Sequence, residues 1–416
     1  MRLAAAHYGS TTAPPLFLLL AIVMKLLPWL SAVGLLLGWS AAAEATPFTP
    51  KSDGEVLERV RVRPADPQAR ALRELRTRLA RQPQDLALAL QLARRYIERG
   101  RIEADPRYNG YAQAALAPWW EQPKPPAPVL VMRATLRQAD HDFEGALADL
   151  KLALAANPRD PQAWVTRALV QQVRGEYAEA RKSCVPVMQF SSQLAGITCL
   201  SGVASLNGQA ATSYALLERV ITARTDASAG EKLWAQTLLA EIAHRRGDPQ
   251  KAEKHFRTAM AVGPDSYLLG AYADFLLDEK RPREAVELLK GRARADGLLL
   301  RLAIAEQRLG LAQSAVHRTE LAARFAASRR RGDEAVHRRE EARFTLELLQ
   351  QPRTALKLAL ANWQTQREPA DARILLAAAQ ASGDAAAARP AIDWLKQSRL
   401  EDRRVNALMQ ELGAKA

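Results

Sequence analysis

Between Ala127 and Leu194 one arrangement of residues occurs twice, 34 positions apart, and it leaves few folds open to the chain. Ala134, Phe143, Ala146, Leu150, Ala153 and Pro158 in the first copy correspond to Ala168, Tyr177, Ala180, Cys184, Val187 and, weakly, Ser192 in the second. Small residues at the recurring places let two short antiparallel helices approach closely, and the aromatic fills the wedge beneath them. A hairpin of this kind cannot bury its own apolar face, so it must stack on neighbours. Runs of Val and Ile in strict alternation are nearly absent and helix formers prevail, which argues against sheets.

The same order returns in Leu239, Ala240, Ala243, Gly247, Ala252, Phe256, Ala259 and Pro264, and again in Tyr272, Ala273, Leu276, Pro282, Ala285 and Leu289. The period and these residue types resemble the tetratricopeptide repeat family. That resemblance implies an all-α, right-handed helical-hairpin solenoid, here over residues 64–412, whose usual activity is binding proteins or peptides rather than catalysis. The clearest repeats are 127–160, 161–194, 233–266 and 266–299. Others depart from the pattern. Residues Leu86 to Gly100 read as a first helix, but Arg101 to Tyr108 is inserted after it, and this loop is expected to project further than the rest. Leu311 to Arg331 is too long and arginine-rich for a regular second helix, His337–Leu349 and Pro352–Trp363 form a further pair, and Glu401 to Leu412 is expected to cap the array.

The beginning of the chain has a different character. Residues 15–39 are strongly apolar apart from Lys25 and Pro28, and they lead into Ala43-Glu44-Ala45, a small-x-small pattern that predicts cleavage after Ala45, with Met24 as an alternative start. An uncleaved membrane anchor over the same stretch is the competing reading, against which the central Lys25 counts. Residues 46–63 read as a linker. A signal of this kind implies a periplasmic or otherwise exported protein, and the alternative implies one anchored to the inner membrane. The net charge of +14 suits an acidic partner, an anionic polymer or a membrane surface, and export makes nucleic acid an unlikely ligand. Arginines spread over nearly all helices also fit solvated faces with i,i+4 pairs. The two cysteines, Cys184 and Cys199, are not spaced as a redox or metal centre; they fall on adjacent elements, where a structural disulfide and two buried thiols both stand open.

Motifs for catalysis are absent from the sequence. The six histidines form no HExxH pair, and there is no phosphate-binding loop, nucleophile elbow or dinucleotide fingerprint, so no catalytic residue, cofactor or metal is expected. A hydrolase assembled from dispersed residues is the least favoured alternative. The family resemblance instead implies a ligand on the concave face, along inner positions of the first helices. In the two central repeats these positions are Trp234, Thr237, Glu241, His244 and Arg245, then Tyr267, Gly270, Asp274, Leu277 and Asp278. Two aromatics among convergent charges suit an unidentified envelope protein or an extended peptide. The Lys and Asn clamp by which some members hold a chain terminus is missing, since its places carry Val131, Thr135, Val165, Leu169, Glu241 and Asp274. The polar stretches His337–Phe344 and Gln366–Arg373 are unusual for stacked helices and read as a structural polar network or a recognition patch. Within them Glu341 is expected to pair with Arg343, and Asn362 and Arg367 to satisfy loop carbonyls.

Overall fold

The structure is a computed structural model that describes residues 66–413. The expected signal or anchor (1–45) and the linker (46–63) lie outside these residues. All regular structure among the described residues is helical. In order, the helices are α1 (Pro67–Arg81), α2 (Leu86–Glu103), α3 (Arg107–Ala115), α4 (Ala117–Trp120), α5 (Ala127–Ala139), α6 (Phe143–Ala156), α7 (Pro161–Val173), α8 (Tyr177–Phe190), α9 (Gln193–Ser205) and α10 (Ala210–Ala223). They continue as α11 (Ala229–Arg246), α12 (Pro249–Val262), α13 (Ser266–Asp278), α14 (Pro282–Leu289), α15 (Asp296–Arg308), α16 (Gln313–Arg331), α17 (Glu334–Glu347), α18 (Pro352–Trp363), α19 (Pro369–Ser382), α20 (Arg389–Ser398) and α21 (Arg403–Glu411).

Consecutive helices pair as hairpins that stack on one another, a tetratricopeptide-like solenoid. Capping chemistry sets where the hairpins begin and turn. Asp142, Asp160, Asp248 and Asp265 each accept a backbone N–H in the first turn of α6, α7, α12 and α13, satisfying donors that have no intrahelical partner. Ser228 and Glu231 form a reciprocal capping box at the start of α11. At its end Gly247, with φ of 82°, takes the left-handed conformation that lets the chain reverse into α12.

The recurring small and aromatic residues are the core. Ala134, Phe143, Ala146, Leu150, Ala168, Tyr177, Ala180, Cys184 and Val187 are all buried, as are Leu239, Ala240, Ala243, Ala252, Phe256, Ala259 and Tyr272. Cys184 on α8 and Cys199 on α9 are joined as a disulfide with their Cα atoms 5.6 Å apart.

The insertion after Gly100 does not project outward. α2 runs on to Glu103, and Ala104 is buried against Leu269, Ala273, Leu298 and Leu302 of the central hairpins. Burying a small apolar residue there removes surface from water that an outward loop would leave exposed.

The last hairpins do not simply add to the end of the stack. Trp363, Leu375, Leu376, Trp394 and Met409 share one core with Tyr177, Cys184 and Val203. The backbone N–H of Arg367 donates to the carbonyl of Val173 at 2.8 Å. Gly175, with φ of 76°, leaves room for the Trp394 indole: a Cβ there would lie 3.0 Å from the ring nitrogen. The late helices α17 to α21 therefore lie against the inner wall built by the earlier ones.

Candidate functional site

Helices α11 and α13 are the first helices of neighbouring hairpins, and residues three or four apart along each present one shared face. On α11, Thr237 is buried and its hydroxyl donates to the carbonyl of Leu233 at 2.8 Å, so it serves its own helix. Trp234 is half-buried against the core that joins early and late hairpins. Arg245 is buried and donates to the Ser205 hydroxyl at 3.0 Å. Glu241 accepts a hydrogen bond of 2.7 Å from the Tyr267 hydroxyl.

Tyr267 is the exposed member of the wall, with 62% of its surface accessible. The neighbouring Glu241 carboxylate, together with burial of the hydroxyl end, pushes the phenol well above its ordinary pKa. Burial raises the pKa of Glu241 in turn, and the charge of Arg245 only partly offsets it.

The two aspartates of α13 are engaged by the chain itself. Asp274 accepts from Arg301 and from Arg343, each at 2.6 Å. Burial alone would raise the pKa of Asp274, but the two guanidinium charges outweigh it and hold the carboxyl at about 2. Asp278 retains only 7% of its side-chain exposure. It accepts from Arg373 and Arg404, each at 2.7 Å, and lies 3.4 Å from His244 Nε2. Its burial is likewise overcome, by the His244 contact and the two arginines, and the carboxyl sits far below the usual range. His244 packs edge-on against Phe275, with ring centroids 5.1 Å apart. Burial lowers its pKa, the hydrogen bond to Asp278 opposes the shift, and the Arg404 charge adds to the lowering.

The wall thus has two parts. Asp274, Asp278, His244 and Arg245 already have partners, whereas Tyr267 presents an open ring beside Glu241. The inner positions named from the sequence are brought together, but the arginines that meet them were not anticipated, because they come from 27 to 160 residues further along.

The polar stretches form a network that holds this junction. Arg339 donates to Asp371 at 2.6 Å and to Gln366 at 2.5 Å, and it also pairs with Glu368. Asn362 donates to Asp371 at 2.7 Å, and Gln366 lies 2.9 Å from His141. Glu341 pairs with Arg329 of α16, whereas Arg343 pairs with Asp274 of α13 and, four residues on in its own helix, with Glu347, so the expected Glu341–Arg343 pair does not form. Asn362 reaches a carboxylate instead of a loop carbonyl, and Arg367 contacts the Val173 carbonyl through its backbone. A cavity of about 480 Å³ adjoins the network, lined in part by His141, Ser266, Asp296, His337, Arg339 and Gln366.

The arginine-rich surface over 324–343 is largely neutralised: Arg324 pairs with Asp296 and Glu320, Arg329 with Glu341, and Arg331 with Asp333. Among the described residues, no group of three or more His, Cys, Asp or Glu side chains could hold a metal ion, and no helix is long and apolar enough to cross a membrane.

No family model and no curated protein matches the sequence. Among solved structures, the chain is similar to a tetratricopeptide repeat protein from Parabacteroides merdae, at 16% identity over 57% of this chain and 92% of that one, with a TM-score of 0.40. It is also similar to the APC/C hetero-tetramer Cut9-Hcn1, at 13% identity over 83% of this chain and 80% of that one, again with a TM-score of 0.40.

Proposed function

We propose that this chain is a non-enzymatic scaffold that binds a protein or peptide in the envelope of a Gram-negative-like bacterium. The observation that carries the reading is Tyr267, a large aromatic ring 62% exposed on the inner wall with its hydroxyl held by Glu241. Such a ring has its polar end oriented and its apolar face open, which suits it to anchor an extended peptide at little entropic cost. Half-buried Trp234, one hairpin earlier, extends the same wall. Export is supported by the apolar stretch ending at Ala43-Glu44-Ala45 and by the Cys184–Cys199 disulfide, a bond that persists in oxidising compartments.

Affinity purification from the native envelope followed by cross-linking mass spectrometry tests the binding site. A partner cross-linked to residues 234–278 is expected, and Tyr267→Ala and Trp234→Ala should each weaken it by about 1–3 kcal/mol. Unchanged binding in both folded variants removes this site. Cross-links confined to residues 324–343, with binding that collapses at high salt, would point instead to an anionic polymer or a membrane surface. Intact mass of the envelope-derived protein tests export: a chain beginning at Thr46 is expected, and one retaining residues 24–45 in the membrane fraction favours the anchor.

A further inference from the structure

The cavity beside the Arg339 network lies where α2 comes round to α13. Its wall is built from the last turns of α2, the end of α5, the starts of α13 and α15, and one face of α17. Its volume of about 480 Å³ falls within the roughly 300–1,000 Å³ of sites that hold small ligands. Ile97, Leu136, Ala139 and Val336 supply apolar wall, and the charged groups set among them divide into two kinds.

Most of these charges are already neutralised inside the protein. Arg339 pairs with Glu368 and Asp371, Arg324 with Asp296 and Glu320, and Asp105 with Arg107, while His337 lies 3.4 Å from Asp296. Three are not: among the described residues the side chains of Glu340, Arg101 and Arg294 form no hydrogen bond or ion pair. Glu340 is half-buried, and one of its oxygens lies 3.9 Å from where a Cβ on Gly297 would be, which sets the carboxylate against the start of α15. Arg101 on α2 and Arg294 in the turn before α15 are exposed, so they stand at the rim. The Ser266 hydroxyl and the Asn109 amide also have no hydrogen-bond partner among the described residues, and they can serve the polar atoms of a ligand.

We infer that this cavity binds a small zwitterion, a free amino acid or a short peptide with both termini unblocked, its ammonium against Glu340 and its carboxylate against Arg101 and Arg294. The unpaired set is one anion and two cations, and a ligand with one charge of each sign answers both. A half-buried carboxylate repels a purely anionic ligand, and two guanidiniums repel a purely cationic one. Charge-assisted hydrogen bonds at both ends are the strong kind, and together they fix the direction in which the ligand lies. The ion pairs of Arg339 hold α17 next to Glu340, so the carboxylate is positioned before a ligand arrives. This site goes beyond the scaffold reading and does not depend on the Tyr267 face.

Native mass spectrometry of the full chain tests this with two probes, an equimolar mixture of the free amino acids and an equimolar mixture of unblocked tripeptides. Retention of members of at least one mixture is expected, and which mixture is retained distinguishes amino acid from peptide. For the best-retained compound, isothermal titration calorimetry should find that N-acetylation and C-amidation each weaken binding at least about tenfold. Glu340→Gln should abolish the difference between the free and acetylated forms, and Arg101→Gln with Arg294→Gln the difference between the acid and the amide. Circular dichroism and the urea midpoint verify that the variants are folded. Should one fail to fold, the blocked ligands pose the same question to the unaltered chain. No retention from either mixture, equal affinity of free and blocked forms, or an acetylation penalty that persists in folded Glu340→Gln overturns the proposal. Binding of amides as tight as that of the acids would mark a cation site, and equally tight binding of acetylated forms an anion site; either result overturns the zwitterion.

Discussion

Arg404 donates to Asp278 at 2.7 Å although 126 residues separate them in the chain. Asp278 also takes Arg373, so one aspartate at the end of α13 ties two late helices to the inner wall. Asp278 is held away from bulk water and Arg404 is largely covered, while Arg373 is 39% exposed, so removing the anion leaves a partly buried cation uncompensated. Asp278→Ala should therefore destabilise the fold by about 3–5 kcal/mol, measured by urea denaturation. A cost under about 1 kcal/mol would mean that the pair is solvated and contributes no more than a surface bridge.

The disulfide closes a short loop, Cys184 and Cys199 being 15 residues apart. On the chain-entropy account a bridge of that length contributes about 3 kcal/mol by restricting the unfolded state. Alkylation without reductant, followed by intact-mass measurement, should add no alkyl group, whereas alkylation after reduction should add two. Cys184→Ala with Cys199→Ala should lower the urea midpoint accordingly, and a midpoint unchanged by reductant would contradict the bridge.

His141, His244 and His255 are each driven below the ordinary histidine pKa of 6.5, with burial the leading cause. A folded-state pKa below the unfolded one means the fold favours the neutral ring. The stability contributed is complete above about pH 6.5 and is lost as pH falls through the folded-state values. Histidine side-chain NMR should show these three resonances titrating below 6.5. Titration of all three at or above that value would contradict the burial seen here.

Glu241 and Glu368 have the opposite sign. Burial raises both carboxyls above the usual value, and for Glu368 the Arg339 charge opposes the shift while Asp371 adds to it. Each ion is therefore held at a cost at neutral pH, and that cost falls as the solution approaches pH 4.5 and below. Glu241→Gln keeps an acceptor for the Tyr267 hydroxyl without the charge. It should show a higher urea midpoint than the parent at pH 7, with the gap closing toward acid. A lower midpoint at pH 7 would mean that the charge of Arg245 already compensates Glu241.

The hairpins were legible because their requirements are local. A small residue at Ala168, Ala240 or Ala243 and an aromatic at Tyr177 or Phe256 answer to helices next to them in the chain, so the pattern recurs with the period. The partners of the wall were not legible for the converse reason. Arg343 meets Asp274 over 69 residues and Arg373 meets Asp278 over 95, and no periodicity links such positions. The polar character of His337–Phe344 signalled a network, but the expected partner of Glu341 was the neighbouring Arg343, whereas Glu341 pairs with Arg329 on α16 and Arg343 reaches Asp274 as well as Glu347. The insertion at Arg101–Tyr108 misled similarly: surplus length suggested an outward loop, and burial of Ala104 beneath α13 and α15 required a surface that sequence alone does not display.

The hydrogen bond from Arg367 to the Val173 carbonyl has a consequence for inheritance. Open repeat arrays lengthen and shorten by duplication or loss of a unit, since each unit answers only to its neighbours. Here a unit gained or lost between residues 173 and 367 would carry Arg367 out of reach of its acceptor and slide Trp394 off Gly175. The number of hairpins between those points is thereby fixed by the closure contacts, and a chain altered by one unit there would lose both.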